Sequence, residues 1–227
     1  MSRLVLFDID LTLVRTDGAG RAAITEAFRR LFGLENPTEG IRFDGRTDHA
    51  IFMETIRLHG LANGDPPGVY RQTTDAYLAE LPGFLQAKGG QVLPGVVELL
   101  DALSEDGSPV GLATGNLRRG AMAKLGHFGL WERFAAGGFG DDTSVRAEVV
   151  AAAIHNLAAA AGCDPDPAMC VVIGDTSLDV AAAHAAGAKA MAVATGSYDM
   201  AALRESGAEY VVADLSGTAT VLEMLVG

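Results

Sequence analysis

The stretch LVLFDIDLTLV, Leu4 to Val14, carries four apolar residues straight into two aspartates, Asp8 and Asp10, and then turns apolar again. Carboxylates beside a buried strand end are costly unless they are paired or bound to a metal. The stretch therefore predicts a buried strand whose carboxyl end opens onto a site that compensates both charges.

Outward from this strand the chain shows two textures. From about Val92 strand-like and helix-like segments alternate. GVVELLDALSED (95–106), Leu117 to Phe128, Ser144 to Ala161 and Ser177 to Ala186 have helical spacing. PVGLAT (109–114), FAAGGFG (134–140), MCVVIG (169–174), KAMAVA (189–194) and EYVVAD (209–214) read as strands, with a terminal helix to follow. Such alternation predicts an α/β fold with a doubly wound parallel sheet. Residues 15–86 break the rhythm with helical patterns only, in GAGRAAITEAFRRLFG, DHAIFMETIRLHG and VYRQTTDAYLAELPGFLQA. They are expected to form a separate helical domain inserted into a core built from residues 1–14 and 87–227.

Open parallel sheets bind ligands beyond the carboxyl ends of their strands. Three strands end in notable polar groups: Asp8 and Asp10; Thr114, Gly115 and Asn116; and Gly174 and Asp175, with Asp179 one turn further on. If these strands are neighbours, one cleft holds four carboxylates. Such a cluster cannot stay fully ionised without a cation, and its hard oxygen ligands suit Mg²⁺. Each motif alone has an ordinary reading. ATGN can cap a helix, and GDTSLD can be a capped helix start. Three of them in this order, each at a strand end, form a specific pattern.

With DIDLTL, ATGN and GDTSLDV in place, the chain resembles the haloacid dehalogenase-like hydrolases, in particular the phosphoglycolate-phosphatase-like branch with a helical cap. The resemblance covers essentially the whole chain. It implies a Mg²⁺-dependent phosphatase acting on a small phosphomonoester, phosphoglycolate-like or a sugar phosphate. Asp8 would be the nucleophile that forms an aspartyl-phosphate, and Asp10 the general acid and then base. The carboxylate of Asp8, the backbone carbonyl of Asp10 and Asp175 would hold Mg²⁺. Asp179 would be a ligand through water or an anchor for a neighbouring cation. Thr114, Gly115 and Asn116 would hold phosphate oxygens.

The resemblance also asks for a phosphate-binding cation before the helix that precedes GDTSLDV, usually lysine. Here GDDTSVRAEVV offers Arg146. Lys124 is the rival, but it lies earlier, after ATGN, and reads as a solvated helix lysine. With three lysines against 14 arginines, the chain favours Arg as its cation, and the planar guanidinium fork suits phosphate. Leu11 stands where the family often has Gly and reads as a spacer facing away from the ligands. In the cap, FDGRTDHA (43–50) sets Arg46 on a loop between two helices, with Thr47 or Asp48 capping the second. Arg46 is expected over the cleft, pairing with a second polar or anionic group of the substrate.

A β-phosphoglucomutase-like phosphotransferase shares this core chemistry and remains an alternative, as does a non-enzymatic binding or regulatory module on the same fold. A dehalogenase needs neither Asp10 nor Asp175, and a phosphonatase needs a cap lysine, of which residues 15–86 have none. The formal net charge of -12 disfavours nucleic acid and anionic membrane as partners. No apolar run reaches the roughly 18 residues of a membrane span. The two cysteines form no metal spacing. The first residues carry no signal-peptide pattern, so the cytoplasm is the expected location. Oligomeric state is not readable.

Overall fold

The computed structural model describes residues 3–62 and 64–227. In chain order the strands are β1 (Leu4–Phe7), β2 (Val14–Arg15), β3 (Gln91–Val92), β4 (Val110–Ala113), β5 (Ala136–Gly138), β6 (Cys170–Gly174), β7 (Lys189–Val193) and β8 (Tyr210–Val212). The helices are α1 (Ala19–Phe32), α2 (Asp48–Leu58), α3 (Pro66–Lys88), α4 (Val96–Asp106), α5 (Arg118–His127), α6 (Arg146–Ala161), α7 (Ser177–Ala185), α8 (Met200–Glu205) and α9 (Thr218–Val226). Six strands form one parallel sheet in the order β5-β4-β1-β6-β7-β8. β1 therefore sits between β4 and β6, and the three polar strand ends are neighbours.

Residues along a strand alternate between faces. Val5 and Phe7, Val171 and Ile173, and Met191 and Val193 pack on one face with α4, α5 and α9. Leu4 and Leu6, Cys170 and Val172, and Ala190 and Ala192 pack on the other with α6, α7 and α8. Burial on both faces explains why these strands are continuous apolar runs without a polar side.

α1, α2 and α3 share a third cluster, in which Phe28 stacks on Phe52 at 5.9 Å and Phe52 meets Tyr77 edge-on at 5.6 Å. Leu117, at the start of α5, joins this cluster from the sheet side. The chain enters and leaves the helical segment side by side, because β2 and β3 pair antiparallel as Val14 with Val92 and Arg15 with Gln91. Residues 15–86 are thus not purely helical: Arg15 belongs to this ribbon, whose two-residue strands are too short to show periodicity. Among the described residues no helix is long and apolar enough to cross a membrane.

Candidate active site

β1 delivers Asp8, buried at 6% exposure, to the carboxyl edge of the sheet. The next residues turn back tightly, with the Leu11 N–H donating to the Val14 carbonyl at 2.8 Å. Leu11 takes a left-handed φ of 60°, a conformation that glycine adopts without penalty and that costs other residues roughly 1–2 kcal/mol. The spacer is therefore strained, and it does not face away, since Leu11 lines the same cleft as Asp8 and Asp10; the Thr195 hydroxyl donates to its carbonyl and holds the turn.

β6 delivers Asp175, and α7 starts with a capping box: Thr176 caps the helix, and the Asp179 carboxylate accepts from the Thr176 backbone. Carboxylate oxygens of Asp8, Asp175 and Asp179 lie within 4.8 Å of one another, all three residues buried. Burial, then the neighbouring Asp179, Asp8 and Asp10, push the Asp175 carboxyl up to about 9. Burial pushes Asp8 up to about 6, against the pull of Arg146. An all-oxygen set crowded enough to resist ionisation fits a hard divalent cation. Gly196 leaves the room: a β-carbon there would collide with the Asp175 carboxylate. Asp179 is the least free of the three. One oxygen is taken by the Thr176 N–H and hydroxyl, and the other by the Arg146 guanidinium.

Arg146 begins α6 and reaches the cluster, 3.5 Å from Asp8 and in closer contact with Asp179. Burial works against its charge, but Asp179 and Asp8 outweigh that cost and hold its pKa up.

Lys124 is not a solvated helix lysine. It is buried at 5% exposure, and its Nζ donates to Asp10 Oδ2 and Asn116 Oδ1, each at 2.6 Å. α5 buries Gly120, Ala121, Lys124 and Leu125, one stripe at helical spacing. That stripe was the signal for Lys124 in the sequence. Gly20 of α1 faces the ammonium and leaves space for it. Burial lowers the affinity of Lys124 for its proton, and Asp10 and Asp48 more than offset this.

After β4 the ATGN segment turns into the site and caps nothing. α5 starts at Leu117 without a side-chain cap. Asn116 Nδ2 instead donates to Asp10 Oδ2 and to the Thr114 hydroxyl, both at 2.8 Å. Gly115 passes so close to the helical segment that a β-carbon would collide with the Arg46 carbonyl. At this crossing Asp48 N–H donates to Gly115 O at 2.7 Å and His49 N–H to Gly140 O at 3.3 Å.

Thr47 caps α2. Asp48 does something the sequence did not reveal: its buried carboxylate accepts from Leu117 N–H at 2.9 Å, 69 residues away. Burial pushes it up to about 6. Asp141 ties the same region down, its carboxylate accepting from Arg118 N–H and its carbonyl from Tyr70. Arg46 lines the cleft, but its guanidinium is paired with Glu54 at 2.5 Å and donates to Arg42 O at 3.2 Å. The cleft between sheet edge and helices has a volume of about 510 Å³ and is lined by Asp8, Asp10, Asp175, Asn116, Lys124 and Arg146 among others.

Carboxylates after β1, cations from α5 and α6 and an acid after β6 thus line one cleft. The description haloacid dehalogenase-like hydrolase matches residues 2–187. The chain belongs to this family. A haloacid dehalogenase-like hydrolase is an enzyme. The chain is 28% identical over 213 residues to a phosphoglycolate phosphatase of Agrobacterium fabrum, covering 88% of this chain and 84% of that one. Its fold is similar to a hydrolase from Pseudomonas syringae, with a TM-score of 0.72, 22% identity and all of both chains covered. It is also similar to a β-phosphoglucomutase from Clostridium difficile, with a TM-score of 0.70, 15% identity and 99% and 97% of the chains covered.

Proposed function

We propose that this hydrolase is a Mg²⁺-dependent phosphatase that releases phosphate from a small phosphomonoester through an aspartyl-phosphate on Asp8. The observation that carries the reading is the pairing of Asp8, at the end of β1, with Arg146, at the start of α6, at 3.5 Å. The likeness to a phosphoglycolate phosphatase supports it.

In this reading the Asp8 carboxylate attacks phosphorus, and Arg146 holds the phosphoryl oxygens with Thr114, Gly115 and Asn116. Electrostatic positioning of this kind supplies most of the catalysis in phosphoryl transfer. Asp10 gives a proton to the departing alkoxide and takes one from the water that opens the aspartyl-phosphate. Lys124 and Asn116 fix the Asp10 carboxylate on its Oδ2 side. Asp179 aims Arg146. The carboxylates of Asp8 and Asp175 and the backbone carbonyl of Asp10 would hold Mg²⁺, which when bound neutralises the acids and polarises the phosphate. Residues 15–86 serve as a cap over the core of residues 1–14 and 87–227, and the Arg46 loop shapes specificity from the cap wall.

The test is phosphate release across a panel of small phosphomonoesters with Mg²⁺ and with EDTA, repeated with Asp8→Asn. Hydrolysis that needs both Mg²⁺ and Asp8 is the expected result. Near-wild-type release by folded Asp8→Asn would overturn the assignment. Conversion of one sugar phosphate into its isomer without phosphate release would make the enzyme a phosphotransferase.

A further inference from the structure

Five cationic side chains line the cleft, and four already have protein partners. Lys124 is paired with Asp10, Arg146 with Asp8 and Asp179, and Arg46 with Glu54, while Arg15 donates to Thr195 O at 3.3 Å. Arg21 is different. Among the described residues it has neither an ion pair nor a hydrogen bond to its guanidinium. Its Cζ lies over the Phe43 ring, 4.0 Å from the centroid, and both residues line the cleft.

A cation over an aromatic face is held by the ring without spending its N–H donors on it. Arg21 is an exposed residue whose donors are left to solvent or to a ligand in the cleft. Its place in the chain is also wrong on local grounds. It sits in the first turn of α1, where the helix macrodipole favours acids over cations. That turn holds no acidic residue, and the N-cap, Gly18, supplies no side-chain acceptor. A local rule broken in this way is expected at functional positions, and an anion from outside the chain would supply the partner that α1 lacks.

The reacting phosphoryl group does not supply it, because Arg146 and the loop after β4 serve that group at the sheet edge. We propose that Arg21 is a specificity residue that grips a second anionic group, a carboxylate or a second phosphate, at the end of the substrate remote from the departing phosphate. This deepens the phosphatase reading and rests on it. Arg46, already neutralised by Glu54, shapes the wall, and Arg21 carries the free charge.

The experiment compares wild type with Arg21→Met and Arg21→Lys, as full chains with Mg²⁺. Two matched pairs of substrates are used: 2-phosphoglycolate against ethyl phosphate, and 1,3-propanediol bisphosphate against propyl phosphate. Wild type should prefer the charged member of at least one pair, and the pair that shows it identifies the second anion. Arg21→Met should raise KM for that member about 10- to 100-fold, as loss of a charge-assisted hydrogen bond predicts. Its kcat should stay within about twofold, and both constants for the neutral member should stay unchanged. Arg21→Lys should recover part of the loss. Equal losses on both members of a pair, no loss, or no wild-type preference overturns the proposal. So does a thermal midpoint of Arg21→Met below wild type, which would make Arg21 a structural residue. A second arm measures the rise in thermal midpoint that each compound gives in an Asp8→Asn background, with and without Arg21→Met. Arg21-dependent binding of the charged member without wild-type turnover on any substrate overturns the phosphatase reading and upholds the site. Turnover with no Arg21 dependence overturns the site alone.

Discussion

Replacing Lys124 with methionine keeps most of the stem and removes the ammonium from between Asp10 and Asn116. Two contacts of 2.6 Å disappear from a residue that is only 5% exposed. Breaking a fully buried ion pair from one side costs about 3–5 kcal/mol. The Asp10 side chain is 40% exposed, however, so water replaces part of what it loses. The stability loss is then closer to one charge-assisted hydrogen bond, about 1.5–3 kcal/mol. For a chain of this size that lowers the thermal midpoint by about 3–12 °C. Losing a preorganised cation that positions Asp10 should also reduce kcat/KM by about 10²-fold or somewhat more. Arg146→Ala should reduce it further, because Arg146 faces Asp8, the proposed nucleophile. Thermal unfolding and steady-state phosphate release on purified variants measure both effects. A Lys124→Met protein with wild-type midpoint and wild-type kcat/KM would refute the reasoning. A larger activity loss from Lys124→Ala than from Arg146→Ala would transfer the phosphate-binding role to Lys124.

The EDTA-treated protein should lose stability as pH rises from about 4 to about 9. Unfolded carboxyls ionise near about 4, while Asp8 and Asp48 hold their protons up to about 6 and Asp175 up to about 9. The folded chain therefore binds more protons than the unfolded one across this window, and stability falls with pH. Mg²⁺ should raise the midpoint by an amount that grows over the same window, since its ligands must shed protons to bind it. A midpoint in EDTA that rises with pH contradicts this picture. Gly115→Ala should weaken both stability and kcat/KM, because the added methyl meets the Arg46 carbonyl and pushes apart the Asp48–Gly115 hydrogen bond. Unchanged unfolding and unchanged activity would show that the two segments are not in contact in solution.

The sheet was legible because burial on both faces writes each strand as an apolar run, and the polar residues that interrupt LVLF, VGLA and CVVI stand where the runs end. β2, β3 and α8 were not legible, being two, two and six residues long. Arg146, placed by its position before α6, reaches Asp8. Lys124 was misread because charge was weighed above spacing: Ala121 and Leu125 set the buried stripe, and Lys124 lies on it. Asp48 looked like a capping residue since Thr47-Asp48 precedes a helix, and its actual partner, Leu117 N–H, is a tertiary contact no local pattern encodes. Asp179 was assigned to metal or anchor, and the structure ties both its oxygens to Thr176 and Arg146.

At the joint between the helical segment and the loops after β4 and β5, two contacts are between peptide groups alone: Asp48 and His49 donate N–H, and Gly115 and Gly140 accept through carbonyls. Any residue but proline offers such a donor. What these contacts demand is smallness on the receiving side, where a β-carbon at Gly115 would strike the Arg46 carbonyl and one at Gly140 would strike the Gly115 carbonyl. These two contacts are specified by shape rather than by side-chain chemistry. Residues that look into the cleft can change without disturbing them. Two glycines thus let the segments meet at a point where any side chain would hold the backbones apart.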